Sequence, residues 1–174
     1  MQDGAVGLRR NAMCIAGVFG GFDSGVTEDS VDIFVESAYF DPASIRKTSK
    51  SQGLQTDASF RYERGCDPQI PVFALKRAVS LILECAGGTV VGKIRESYPE
   101  PIAPKTIDLD YDRIEAFVGE KIGAETMDLI LESLAYKFLS RDGAKRTVEV
   151  PSYMIDVARE CDVVEEILRI YGYN

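Results

Sequence analysis

The proline-rich segment ESYPEPIAPKT, residues 96–106, constrains this chain more than any other stretch. Pro99, Pro101 and Pro104 fall within six positions. Each fixes its own backbone and removes a hydrogen-bond donor, so neither a helix nor a paired strand can run through them. The segment therefore reads as a linker or extended crossing. It divides the 174 residues into two small domains, 1–98 and 99–174.

Hydropathy patterning on either side predicts α+β architecture in both parts. In the first, MCIAGVFGG reads as a strand entering a glycine turn. VDIFVESAYF alternates, with Val31, Ile33 and Val35 on one face and Phe34 and Glu36 on the other. Asp41 is placed to cap a helix with Pro42 at its first position, running to about Gln52 and stopped by Gly53. A longer helix is predicted over 69–86, ended by Gly87–Gly88, and TVVGKIRES returns as a strand. In the second part TIDLD reads as a strand, helices follow over 111–118 and 124–134, and YKFLS and RTVEVP flank a hairpin turn in RDGAK. A last helix starts near Val157 or Cys161 and reaches Ile170.

Composition narrows the chemistry. The chain holds no histidine, which removes Ser-His triads, Cys-His dyads and most zinc sites. Any chemistry rests on carboxylates, hydroxyls, backbone groups, an oxygen-bound metal or the substrate itself. Cys14, Cys66, Cys85 and Cys161 are far apart and form no CxxC pair, which reads as reduced thiols in a cytoplasmic protein. No apolar run approaches the roughly 18 residues of a membrane span, and no signal-peptide pattern opens the chain. A net charge of −8 argues against indiscriminate nucleic-acid binding, though not against a local basic patch.

Such a patch exists. Arg46, Lys47, Lys50, Arg61 and Arg64 face only Asp57 and Glu63 between positions 44 and 64. The cluster is either a solvated face or a phosphate contact. Gly17, Gly20 and Gly21 form an ordinary tight turn or a place where a ligand approaches the backbone. Glu36 is a carboxylate on the less apolar face of its segment, or an acceptor on a pocket wall. In DVARECDVVEE, Asp162 shares a helix face with Glu165 and Glu166, and Asp156 precedes them. Acidic residues in a first turn are stabilised by the helix dipole, while a hard divalent cation would relieve their mutual repulsion.

The motifs IAGVFGG, ESAYFDPASIRKTSKSQGLQTDASFRYERGCDP and VPSYMIDVARECDVVEEILRIYGY together resemble the β subunit of bacterial phenylalanyl-tRNA synthetase, from Met13 onward. The resemblance implies a mixed α/β editing domain, incomplete at its N-terminus because only twelve poorly matching residues precede Met13. A small winged-helix-like domain follows it. The family joins phenylalanine to tRNA(Phe) with ATP, which this segment does not bind, and hydrolyses misacylated Tyr-tRNA(Phe). By resemblance, Glu36 contacts the tyrosine hydroxyl, and Ala16, Gly17 and Ala58 leave room for the ring. The resemblance further implies magnesium at Asp156, Asp162, Glu165 and Glu166, shared with the α subunit of an α2β2 heterotetramer. It places the basic segment near the tRNA, and it implies no membrane partner. Aminoacylation by this segment alone is excluded. The rival expectation is a non-catalytic tRNA-binding or subunit-assembly module that has lost editing.

Overall fold

The computed structural model describes residues 5–8 and 11–172, and residues 1–4, 9–10 and 173–174 lie outside it. The twelve-residue leader is therefore described only in part. The chain divides between Ser97 and Tyr98 into two compact units.

The first unit opens with three antiparallel strands in the order β1-β2-β3: Ala5–Leu8, Asn11–Ile15 and Phe19–Gly20. The chain reverses between β2 and β3 through Gly17, whose φ of +68° suits a residue without a Cβ. A short 3-10 turn, Phe22–Ser24, is pinned where the Ser24 hydroxyl donates to the Met13 carbonyl at 2.8 Å. Helix α1, Pro42–Gln52, has the caps that the sequence predicts. The Asp41 carboxylate accepts from the Ser44 amide at 2.8 Å, and Gly53 ends the helix in the left-handed region. Helices α2, Asp57–Tyr62, and α3, Pro71–Ala86, complete the unit.

Two expected strands are absent among the described residues. Residues 31–40 join no ladder, and Val31 and Phe34 are almost fully exposed. Residues 89–97 likewise form no strand. The physical reason is the same for both. Alternation specifies two faces, but a strand exists only when a neighbour takes its amides and carbonyls. Neither segment is joined to a sheet among the described residues. Helix α3 has no fully buried residue: Val72, Leu75, Val79 and Ile82 are half-buried, and Phe73 is 68% exposed.

The second unit matches its sequence expectations closely. Strand β4, Thr106–Asp110, leads directly into α4, Tyr111–Val118, capped by the Asp110 carboxylate. Helix α5, Ala124–Ser133, ends at a turn in which Ala135 takes a φ of +64°. The hairpin of β5, Lys137–Asp142, and β6, Lys145–Glu149, follows. The sheet order is β4-β6-β5, antiparallel throughout, with Ile107 opposite Val148 and Lys137 opposite Glu149. Helix α6, Glu160–Tyr171, closes the unit. Three helices against a small sheet ending in a hairpin make a winged-helix-like arrangement.

Alternation explains its core. Ile107 and Leu109 of β4, and Val148 of β6 with Val150 just after it, point inward. They meet Ile114 of α4, Met127, Ile130 and Leu131 of α5, and Val163, Val164 and Ile167 of α6. Burying a side chain of this size contributes about 1.5–3 kcal/mol, so this unit holds most of the chain's apolar stabilisation.

Candidate functional site

In the first unit, the proposed pocket residues come from three places in the sequence, and Phe40 packs against the glycine turn of one of them. A Cβ at Gly17 would lie 2.8 Å from the Phe40 ring and 2.6 Å from Ile45 Cδ1. Space there is filled as soon as the backbone is decorated, so glycine is required by close approach as well as by φ. The Phe40 ring meets Tyr62 edge-on, with centroids 4.9 Å apart. Burial raises the pKa of Tyr62, and the charges of Cys66 and Glu36 add to that rise, which brings Glu36 into the same neighbourhood. Ala58 belongs to α2, whose start is tied to the glycine turn because the Thr56 hydroxyl donates to the Val18 carbonyl at 2.6 Å.

Ala16 and Gly17 are half-buried, while Glu36 and Ala58 are exposed. The structure thus brings the glycine turn, α2 and the Glu36 segment to one region, with Glu36 open to solvent. The residues that do the joining, Phe40, Thr56 and Tyr62, escaped the sequence reading. Thr56 had a readable signal. TDAS places threonine at a cap and serine three positions later, and both reciprocal hydrogen bonds form, at 3.0 and 2.9 Å.

The basic residues divide into two groups. Arg46 donates to the Glu63 carbonyl at 3.1 Å, and Arg64 to the Phe60 carbonyl at 2.7 Å while stacking over the Phe60 ring. Arg46 thereby ties α1 to the end of α2, while Arg64 folds back on α2 itself. Lys47, Lys50 and Arg61 are exposed.

In the second unit, α6 positions the four carboxylates. Its start is fixed from two sides: Lys105 donates to the Ile155 and Val157 carbonyls at 2.7 and 3.1 Å, and Glu160 accepts from the Asp110 amide at 2.9 Å and pairs with Arg113. Asp156 lies exposed between the two carbonyls that Lys105 holds. Asp162 turns back to accept from the Ala158 and Arg159 amides at 3.0 and 2.8 Å. Those amides, with the Arg159 guanidinium, hold its carboxyl down to about 2. Glu166 pairs with Arg169, and its side chain is only 15% exposed. Glu165 faces solvent. Among the described residues no three such groups converge on a point where a metal ion would sit. The donor set is nonetheless all oxygen, the kind a hard divalent cation takes.

One cluster was not anticipated. Asp128 of α5 receives two hydrogen bonds from Arg146 of β6, at 2.9 and 3.1 Å, and one from the Tyr111 hydroxyl at 2.7 Å. Arg146 lies on the inner face of β6 with Val148, so an alternation count marks it as an inward charge in need of a partner.

Comparison with known proteins follows the same division. The family model described as the B3/4 domain matches residues 7–87, and that described as the tRNA synthetase B5 domain matches residues 107–173. The phenylalanine–tRNA ligase beta subunit of Bacteroides fragilis (strain YCH46) is 48% identical over 166 residues, which is 95% of this chain and 20% of that protein. The subunit of the same name from Porphyromonas gingivalis is 49% identical over 162 residues, 93% of this chain and 20% of that protein. The Geobacter sulfurreducens subunit is 38% identical over 174 residues, 100% of this chain and 21% of that protein. The chain spans about a fifth of the length of the curated relatives it matches. Through these two domains, in this order, the chain belongs to the phenylalanine–tRNA ligase beta-subunit family.

Proposed function

We infer that the chain contributes tRNA binding and hydrolytic editing of misacylated Tyr-tRNA(Phe) to a ligase that charges tRNA(Phe) with phenylalanine. The observation that carries this reading is the B3/4 match over 7–87 followed by the B5 match over 107–173. ATP belongs to the full enzyme and is not bound by this segment. The partners are tRNA(Phe) and the α subunit, in an α2β2 heterotetramer of the cytoplasm. No helix among the described residues is long and apolar enough to cross a membrane.

The chemistry follows from selectivity. A pocket built for phenylalanine rejects an added hydroxyl poorly, so a second site that recognises the hydroxyl removes the error. Glu36 accepts a hydrogen bond from the tyrosine hydroxyl, which phenylalanine lacks. Ala16 and Ala58 leave room for the ring, while the space beside Gly17 is taken by Phe40 and Ile45. Water is the nucleophile, and the hydroxyls of the tRNA terminus stand in for a side-chain base. Lys47, Lys50 and Arg61 offer charge to phosphates, with Arg46 and Arg64 bracing the helices that carry them.

Asp156, Asp162, Glu165 and Glu166 hold magnesium together with ligands from the α subunit. Their donor chemistry fits, and their present partners, backbone amides for Asp162 and Arg169 for Glu166, have to yield. When bound, the ion neutralises the carboxylates and ties the subunits together.

A second reading, a tRNA-binding or assembly module without hydrolysis, is favoured by the exposure of Glu36. Deleting residues 7–87 from a ligase that carries this segment separates the two. Loss of Tyr-tRNA(Phe) hydrolysis with aminoacylation retained is expected, and unchanged hydrolysis overturns the editing reading.

The tRNA contact has its own test. Replacing Arg46, Lys47 and Lys50 with Ala should weaken tRNA binding and flatten its salt dependence, since each lost phosphate contact removes about 0.7–0.9 from the logarithmic slope. Unchanged affinity and slope would make the cluster a solvated face.

A further inference from the structure

Helices α4 and α6 of the second unit leave a groove between them that the core does not fill. Ile114 and Val164, both buried, line it together with Phe117 and Cys161, both exposed. Phe117 is 79% exposed, a large apolar ring left in water that a partner would cover with gain. The groove encloses about 150 Å³, a volume that takes a benzene-sized group. Its shape is held from both ends. Arg113 pairs with Glu160 at one, and at the other the Tyr171 hydroxyl donates to Glu120 at 3.1 Å. A site fixed in this way loses little freedom when it is occupied.

Charge selects the occupant. The second unit, Tyr98–Asn174, carries 16 acidic and 9 basic side chains, so that it holds −7 of the chain's net −8. Helices α4 and α6 together carry six carboxylates against two arginines. Both arginines are already taken, Arg113 by Glu160 and Arg169 by Glu166. A second copy of the chain would therefore set carboxylates against carboxylates across the groove, and a nucleic acid would set phosphates against them. Helix α5 points the same way. It precedes the hairpin, where a helix-turn-helix protein would face nucleic acid, yet it carries three carboxylates and no Lys or Arg.

We propose that the α4–α6 groove is a docking site for a basic protein segment. The segment seats one leucine- or phenylalanine-sized side chain against Phe117 and turns its lysines or arginines toward the carboxylates of the two helices. A short amphipathic helix presents that combination, an apolar anchor on one face with charge flanking it. The exposed Asp112, next to the Arg113 end of the groove, is one carboxylate open to such a cation. The site depends on neither the editing reading nor the cation reading.

The test is the binding of two synthetic helical peptides to the 174-residue chain, followed by fluorescence anisotropy. Both carry the same leucine stripe; one fills its other face with lysine and the second with glutamate. The lysine peptide should bind at least tenfold tighter than the glutamate peptide, and its affinity should fall as salt rises. Phe117→Ala should weaken it roughly tenfold or more, the scale of one aromatic anchor. Cys161→Phe, which fills the groove from the opposite wall, should do the same, and Asp112→Asn should weaken it to a lesser degree. Phe117 and Cys161 are both exposed, so neither substitution opens the core. Lysine-peptide binding that is unchanged in both variants is held by charge alone and overturns the site. Equal binding of the two peptides, or no saturable binding of the lysine peptide, overturns the choice of partner. A Phe117-dependent dimer of the chain, or Phe117-dependent binding of an RNA oligonucleotide, would give the groove to a second copy or to nucleic acid and overturn it too.

Discussion

Asp128→Ala is expected to destabilise the second unit by about 3–5 kcal/mol, the cost of removing one member of a buried ion pair. The Arg146 guanidinium is 7% exposed and would lose both bonds to its carboxylate. The Tyr111 hydroxyl, donating to the same oxygen, would lose its acceptor as well. The double variant Asp128→Ala with Arg146→Met should recover much of the loss, because burying the pair gives little net stability over an apolar replacement. Urea unfolding of the chain followed through the second unit measures both. A single-variant midpoint equal to wild type would mean that Arg146 is solvated rather than buried.

The same cluster sets an acid-side dependence. Burial by itself would raise the pKa of Asp128, but hydrogen bonds from Arg146 and Tyr111 outweigh it and hold the carboxyl below its ordinary value. A depressed folded-state pKa contributes stability in full above the unfolded value, and that stability is lost as pH falls through the folded one. Asp128→Ala should therefore flatten the acid limb of the stability profile.

The second unit was legible because its elements satisfy themselves locally. TIDLD supplies both a strand and, through Asp110, the cap of the next helix. RDGAK joins two segments that pair with each other, so pattern and partner lie in one stretch. What stayed hidden there was Asp128, since a single carboxylate on an otherwise apolar helix does not say which distant charge it meets. The α6 carboxylates were legible as residues clustered at one helix start but not as a geometry. Spacing places Asp162 and Glu166 one turn apart, whereas hydrogen bonding to amides and to Arg169 decides where their oxygens point.

The first unit was legible only at its helices. Asp41, Pro42 and Gly53 bound α1 through chemistry within one turn of its ends. The alternation over 31–40 carried no information about a partner strand, and the segment joins no sheet among the described residues. The convergence of Gly17, Phe40 and Tyr62 depends on the Thr56–Val18 bond across 38 positions, which no local pattern announces.

Glu36→Ala carries the second large effect, and it bears on the central claim that the first unit edits by reading a hydroxyl. Glu36 lies exposed, and after burial and Cys66 its charge adds to the rise in the Tyr62 pKa. In the proposed role its side chain accepts from an incoming tyrosine hydroxyl. Losing a hydrogen bond to a charged group costs about 1.5–3 kcal/mol, or roughly tenfold to a hundredfold in discrimination. Glu36→Gln keeps an acceptor and should fall between wild type and alanine. The deciding measurement is the rate of Tyr-tRNA(Phe) hydrolysis relative to Phe-tRNA(Phe) by a ligase carrying this segment, with and without Glu36→Ala. The predicted result is a tenfold or greater loss of preference for the tyrosyl substrate with aminoacylation intact. An unchanged preference in a folded, aminoacylating enzyme would contradict the account.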